Sequence, residues 1–300
     1  MPLSELKKAD IKLLLEKIWT KLHWLTTPYG TFPSKPGDGG DDTLWLGLLS
    51  TVGVVDAQEG LKYCQAKDGE KRPGMFYRNP MRRYNDNEGH AAFFSRDMAT
   101  GVMCYFACGL GNYSQALDWQ HYWESQKYCI KKWPWPGKGC MISAYKFAPD
   151  DRSDITPVCF AMLRRIWKAR GWNTTNEMER WKGSDGDYSV LESKTCPVGF
   201  ELHLKAVQAY IKMLVGQSSY YSQKVTDICY ERSPRDLFYK ILSQGRAIDE
   251  DYARFVQICE SAPKEFGKNW LWGSSTIDDR ISEVCGWDLY FMGKLLLKMG

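Results

Sequence analysis

A polar or charged helix start followed by a helix without charge recurs along this chain. Its clearest instance is FFSRDMATGVMCYFACG at 93–109, where Ser95 and Asp97 are good helix starters and no charged side chain follows Asp97 until Asp118. Small or apolar residues on every face leave such a helix no side to show to water. It is therefore expected inside a helical protein, with Arg96 and Asp97 held at its entrance. The same layout puts Asp41-Asp42-Thr43 ahead of LWLGLLSTVGVV at 44–55. It puts Asp154 and the cap pair Thr156-Pro157 ahead of a helix whose buried face carries Cys159, Leu163, Ile166 and Trp167. A fourth inner helix is predicted over 197–214, where Phe200, Leu204, Val207, Ile211 and Leu214 recur at spacings of three and four. His203, Ala206, Tyr210 and Met213 form a second row beside them, with Glu201 and His203 near the start. Asp278-Asp279-Arg280 precedes a last apolar stretch at 284–297.

Stretches at 3–25 and 219–231 read as outer helices and 113–127 as an amphipathic partner of the central helix, and further helices run from about Ser233 to Gln244 and over 249–261. No strand-like alternation of useful length appears, so the predicted class is all-α, in one domain over 1–300. Irregular excursions fall near 65–92 and 172–196. The first, with Arg78, Arg82 and Arg83 among Tyr77 and Tyr84, reads equally as a lid over a mouth and as a loose excursion. Trp133-Pro134-Trp135-Pro136 reads more readily as a rigid plug than as a sugar platform. Gly183-Ser184-Asp185-Gly186-Asp187-Tyr188 lacks the spacing and terminal glutamate of an EF-hand.

Composition narrows the function classes. A net charge of +4 with scattered Lys and Arg gives no nucleic-acid arm. The polar N-terminus has no apolar signal core, and no window supplies a membrane span, so a protein made in the cytoplasm is expected, with a virion among its destinations. The ten cysteines are dispersed without a CxxC pair and are expected to be reduced and mostly buried. The four histidines do not fall at metal-ligand spacing from them, so neither a metal nor another cofactor is expected. The excess of Trp and Tyr suits sugar rings and protein interfaces alike.

If the inner helices point the same way, their starts gather Asp41, Asp42, Arg96, Asp97, Asp154, Glu201, His203, Asp278 and Asp279 at one end, with Trp45, Trp270, Trp272 and Trp287 nearby. Capping and the helix dipole account for each carboxylate singly, but not for the accompanying arginine, histidine and tryptophans. Phe94-Ser95-Arg96-Asp97 before a Gly-containing apolar helix, with Asp41-Asp42-Thr43-Leu44-Trp45 upstream and Thr156-Pro157 downstream, resembles the inner-helix starts of the (α/α) toroid superfamily. That superfamily includes the six-hairpin glycosidases and related polysaccharide-degrading enzymes. The resemblance implies a toroid or barrel of helical hairpins, complete or incomplete, that hydrolyses a glycosidic bond in a polysaccharide or oligosaccharide with a carboxyl pair. Asp97 with Asp42 is the expected pair, with Arg96 to orient one of them or lower its pKa and Asp154, Glu201 and His203 as reserves. Trp45, Trp270, Trp272 and Trp287 would stack on sugars. A polysaccharide lyase would instead use His203 or Tyr188 as base and Arg96 or Arg235 to neutralise a uronate. The competing class is a non-catalytic scaffold or adaptor that binds other protein subunits of an assembly.

Overall fold

The computed structural model describes residues 2–36, 42–88, 93–132, 140–150, 153–273 and 281–300. Helices dominate these residues. In chain order they begin with α1 (Glu5–Trp19), α2 (Asp42–Thr51), α3 (Val55–Cys64), α4 (Pro80–Tyr84), α5 (Arg96–Ala107), α6 (Tyr113–Ser125) and α7 (Pro157–Ala169). Then come α8 (Asn176–Arg180), α9 (Asp187–Thr195), α10 (Phe200–Leu214), α11 (Tyr220–Arg232), α12 (Leu237–Gln244), α13 (Asp249–Ser261) and, closing the chain, α14 (Gly286–Met299).

The uncharged stretches are the interior. Every residue of α2 is buried, as is α5 from Met98 to Ala107. These two helices cross at a pair of glycines: a Cβ added to Gly47 would lie 2.1 Å from the Gly101 carbonyl oxygen, so backbone meets backbone there. Thr156 caps α7, its hydroxyl accepting from the Cys159 N–H at 3.3 Å with Pro157 in the first turn, as the sequence predicts.

Helix direction follows from which ends meet. Arg96, Pro157 and Phe200, the first residues of α5, α7 and α10, line one cavity. Ala107, Ala169 and Leu214, the last residues of the same helices, line another together with Lys298. These three helices therefore run in the same direction. At the second cavity the Lys298 ammonium also donates to the Thr51 carbonyl at 2.8 Å, tying the end of α14 to the end of α2.

Several expectations change. The predicted helix over 3–25 ends at Trp19, and the loop that follows contains an antiparallel hairpin, β1 (Trp24–Thr27) with β2 (Gly30–Pro33). A second hairpin pairs β3 (Tyr128–Lys132) with β4 (Cys140–Ala144). Four- and five-residue strands are too short to show a period of two. Cys129 on β3 is disulfide-bonded, which departs from the all-reduced expectation, whereas Cys64, Cys104, Cys159, Cys229 and Cys285 are free and buried. The excursion after α3 is packed. It buries Met75, Phe76 and Tyr77, and the Arg83 guanidinium holds the Glu70 carboxylate and the Tyr63 carbonyl. The excursion at 172–196 folds into α8 and α9. The Trp133–Pro136 motif lies outside the described residues, as do Asp41, Asp278 and Asp279. No helix among the described residues is long and apolar enough to cross a membrane.

Candidate functional site

The starts of α5, α7 and α10 open onto a cavity of about 1060 Å³. From α5 come Arg96, Asp97 and, one turn on, Thr100, whose hydroxyl donates back to the Arg96 carbonyl at 3.1 Å. From α7 come the cap Thr156 and Cys159. The chain enters α10 through Gly199 at φ 120°, a backbone region that favours glycine, and α10 then contributes Phe200, Glu201, Leu204, Lys205 and Gln208. The fourth wall is α9, through Glu192 and Thr195, followed by Cys196. Arg232 secures that wall by donating to the Ser193 carbonyl at 2.6 Å and the Cys196 carbonyl at 2.7 Å.

The charges divide into two kinds. Glu192 and Lys205 form an ion pair at 2.7 Å across the α9–α10 junction. The Arg96 guanidinium and the Glu201 carboxyl, both exposed, form no hydrogen bond or ion pair among the described residues. Three helix N-termini carry partial positive charge toward this space, which favours anionic carboxylates and any negative charge that develops on a bound molecule. Among the described residues no group of three His, Cys, Asp or Glu side chains is placed to hold a metal ion.

Of the residues singled out in the sequence, Arg96, Asp97 and Glu201 share this cavity. Asp42 does not line it. Its side chain is buried at the start of α2, where the Ser34 hydroxyl donates to it at 3.4 Å. Asp154 is half-buried and accepts from the Tyr128 hydroxyl at 2.8 Å. His203 has no exposure and packs against Phe238; burial drives its pKa down to about 3, opposed in part by the Trp272 backbone. A ring so enclosed serves the core.

None of the four tryptophans expected to bind sugar lines this cavity. Trp272, expected to stack on sugars, is fully buried and donates to the Asp288 carbonyl at 2.9 Å. Trp287 is fully buried and donates to the His23 carbonyl at 2.7 Å. Trp45 is buried and stacks on the half-buried Trp270, with the Lys35 ammonium 4.0 Å from its ring. Arg235 lines a separate cavity of about 810 Å³ beside Asp236, Lys240 and Arg254. Tyr188 is in α9, but its side chain lies outside what is described.

Glu192, Lys205, Gln208 and Phe200 are the wall residues that sequence reasoning missed as site residues. Phe200 was visible only as one more apolar position in the α10 repeat. The usable signal was the row Phe200, Leu204, Gln208 at four-residue spacing, which turns polar where a core row would stay apolar. Comparison with protein-family models, with curated proteins and with solved structures finds no match to this chain.

Proposed function

We propose that the protein is a carbohydrate-active enzyme, a glycoside hydrolase whose inner helices belong to an (α/α) toroid, complete or incomplete. The observation that carries this reading is the single open cavity shared by Asp97, Glu201 and Arg96 from the starts of two like-directed helices. The acting pair is then Asp97 with Glu201. Asp42, closed off beneath Ser34, is a structural carboxylate in this reading. One carboxyl donates a proton to the leaving oxygen and the other, ionised, assists attack at the sugar carbon. Arg96 lines the same cavity and is placed to hold the bound sugar.

The test is release of reducing ends from a panel of polysaccharides by the wild type, Asp97→Asn and Glu201→Gln. Each substitution is expected to lower kcat by about 100-fold or more on the responsive glycan. A wild type inert on the whole panel would discard the enzyme. The second reading, a non-catalytic scaffold that binds other subunits of an assembly, is favoured by one observation: the tryptophans expected to bind sugar are packed into the core or against it.

A further inference from the structure

We infer that the α10 wall of the cavity is a ring-stacking face for an uncharged sugar, with Phe200 as the platform and the Gln208 carbonyl oxygen as an acceptor for a ligand hydroxyl or amide N–H. This rests on the carbohydrate reading above and specifies its substrate. Other large aromatics of this chain are exposed, Tyr84, Tyr113 and Tyr220 among them, but Phe200 is the one that lines this cavity. The chain's twelve phenylalanines all fall within the described residues, and Phe200, at 46% exposed, is the single exposed one. It opens α10, and Leu204 and Gln208 follow it at intervals of one turn on the same wall. An apolar strip of Phe200 and Leu204 thus leads along the helix to an amide. The Gln208 Oε1 atom is buried and accepts from no donor in the protein, a cost that a donor on the bound molecule would relieve. Beside this strip runs a second row on the same helix, Glu201 and Lys205.

A molecule matching both rows has a flat apolar face and hydrogen-bonding edges, which describes a pyranose ring. The charge of the walls selects further. Asp97, Glu192 and Glu201 supply three carboxylates against the two cations Arg96 and Lys205 and the three positive helix ends, so the walls come close to balance and offer a uronate or phosphate group no excess of cation. The favoured ring is uncharged.

The experiment is calorimetric titration with soluble oligosaccharides of glucose, of N-acetylglucosamine and of galacturonate. The proteins compared are the wild type, Phe200→Ala, Phe200→Leu, Phe200→Tyr and Gln208→Leu. Because Phe200 is exposed, its variants are expected to keep the wild-type thermal midpoint. Phe200→Ala and Phe200→Leu should bind the preferred neutral oligosaccharide about tenfold or more weakly, Phe200→Tyr should restore binding, and Gln208→Leu should weaken it. Wild-type affinity in Phe200→Ala overturns the platform while leaving the hydrolase standing. Tightest binding of the galacturonate oligomer overturns the preference for a neutral ring. A wild type that binds none of the three, yet cleaves another glycan, removes the inference alone; one that neither binds nor cleaves any removes both.

Discussion

Asp236 and Asp288 are carboxyls without exposure, each half-satisfied. Asp236 Oδ1 accepts from the N–H groups of Phe238 at 2.8 Å and Tyr239 at 3.3 Å, capping α12, while its Oδ2 accepts from no donor. Asp288 accepts from the Leu271 N–H through Oδ2, and its Oδ1 is likewise unmatched. Burial pushes both well above the ordinary carboxylate range, because the neutral acid loses less on leaving water. A folded-state pKa above the unfolded value means that the contribution to stability is full below about pH 4 and is lost as pH rises through the folded pKa. His203 acts in the opposite sense. Its pKa is held down to about 3, so its contribution is full above about pH 6.5 and is lost as pH falls toward the folded value. Urea midpoints between about pH 4 and pH 8 should therefore separate them. Asp236→Asn and Asp288→Asn should raise the midpoint relative to wild type more at pH 8 than at pH 4, and His203→Gln should flatten the acid side. Variant curves parallel to wild type throughout would show that these groups do not titrate with folding.

At the scale of elements, the crossing of α2 and α5 reverses an ordinary rule. Replacing glycine by alanine inside a helix normally stabilises by roughly 1 kcal/mol. Here a Cβ at Gly101 would stand 2.3 Å from the Thr43 carbonyl oxygen and 2.5 Å from the Leu44 Cα. Backbone cannot yield as a side chain does, so Gly101→Ala should destabilise by about 3 kcal/mol or more, read as a lowered thermal midpoint. An unchanged midpoint would mean that the helices do not touch at this point. The uncharged sequence around Gly101 announced burial, and Thr156-Pro157 announced a helix start, because burial and capping are local properties of a stretch. The hairpins and the short helices α8 and α9 were not legible. Contacts between elements, such as Arg164 of α7 on Glu179 of α8, leave no period in the sequence. The site was legible in part for the same reason. Arg96, Asp97 and Glu201 are marked by their places at helix starts. An indole, by contrast, is served as well by a core carbonyl as by a sugar, so Trp272 and Trp287 could not declare themselves.

For the whole molecule, like-directed helices raise a question of containment. With α5, α7 and α10 parallel, positive helix ends converge at the open cavity and negative ends at the opposite one, where Arg170 donates to the Gly109 carbonyl at 3.3 Å and Lys298 to Thr51. Charge at the far end is thus answered by cations, whereas the near end must be closed by the 172–196 excursion. A buried clamp does this. Asp185, between α8 and α9, accepts from Arg165 of α7 at 2.7 Å and pairs with Lys212 of α10 at 3.1 Å. Burial opposes ionisation of Asp185, but Arg165 and Lys212 outweigh it and hold its carboxyl below the usual range. Burial lowers the pKa of Lys212, with Asp185 opposing that shift. Stability from Asp185 is therefore full above about pH 4 and is lost as pH falls through its lower folded pKa. Asp185→Asn leaves two cations facing each other in a largely dry site and should cost about 3–5 kcal/mol. Lys212→Met keeps the Arg165–Asp185 pair and should cost less. Because Ser184 and Glu192 of the same excursion form the cavity wall, Asp185→Asn should also expose 172–196 to proteolysis and weaken ligand binding, at a pH where the protein remains folded. Equal losses in the two variants, or cleavage no faster in that segment than elsewhere, would show that the excursion is held by its packing and that the clamp is incidental to the cavity.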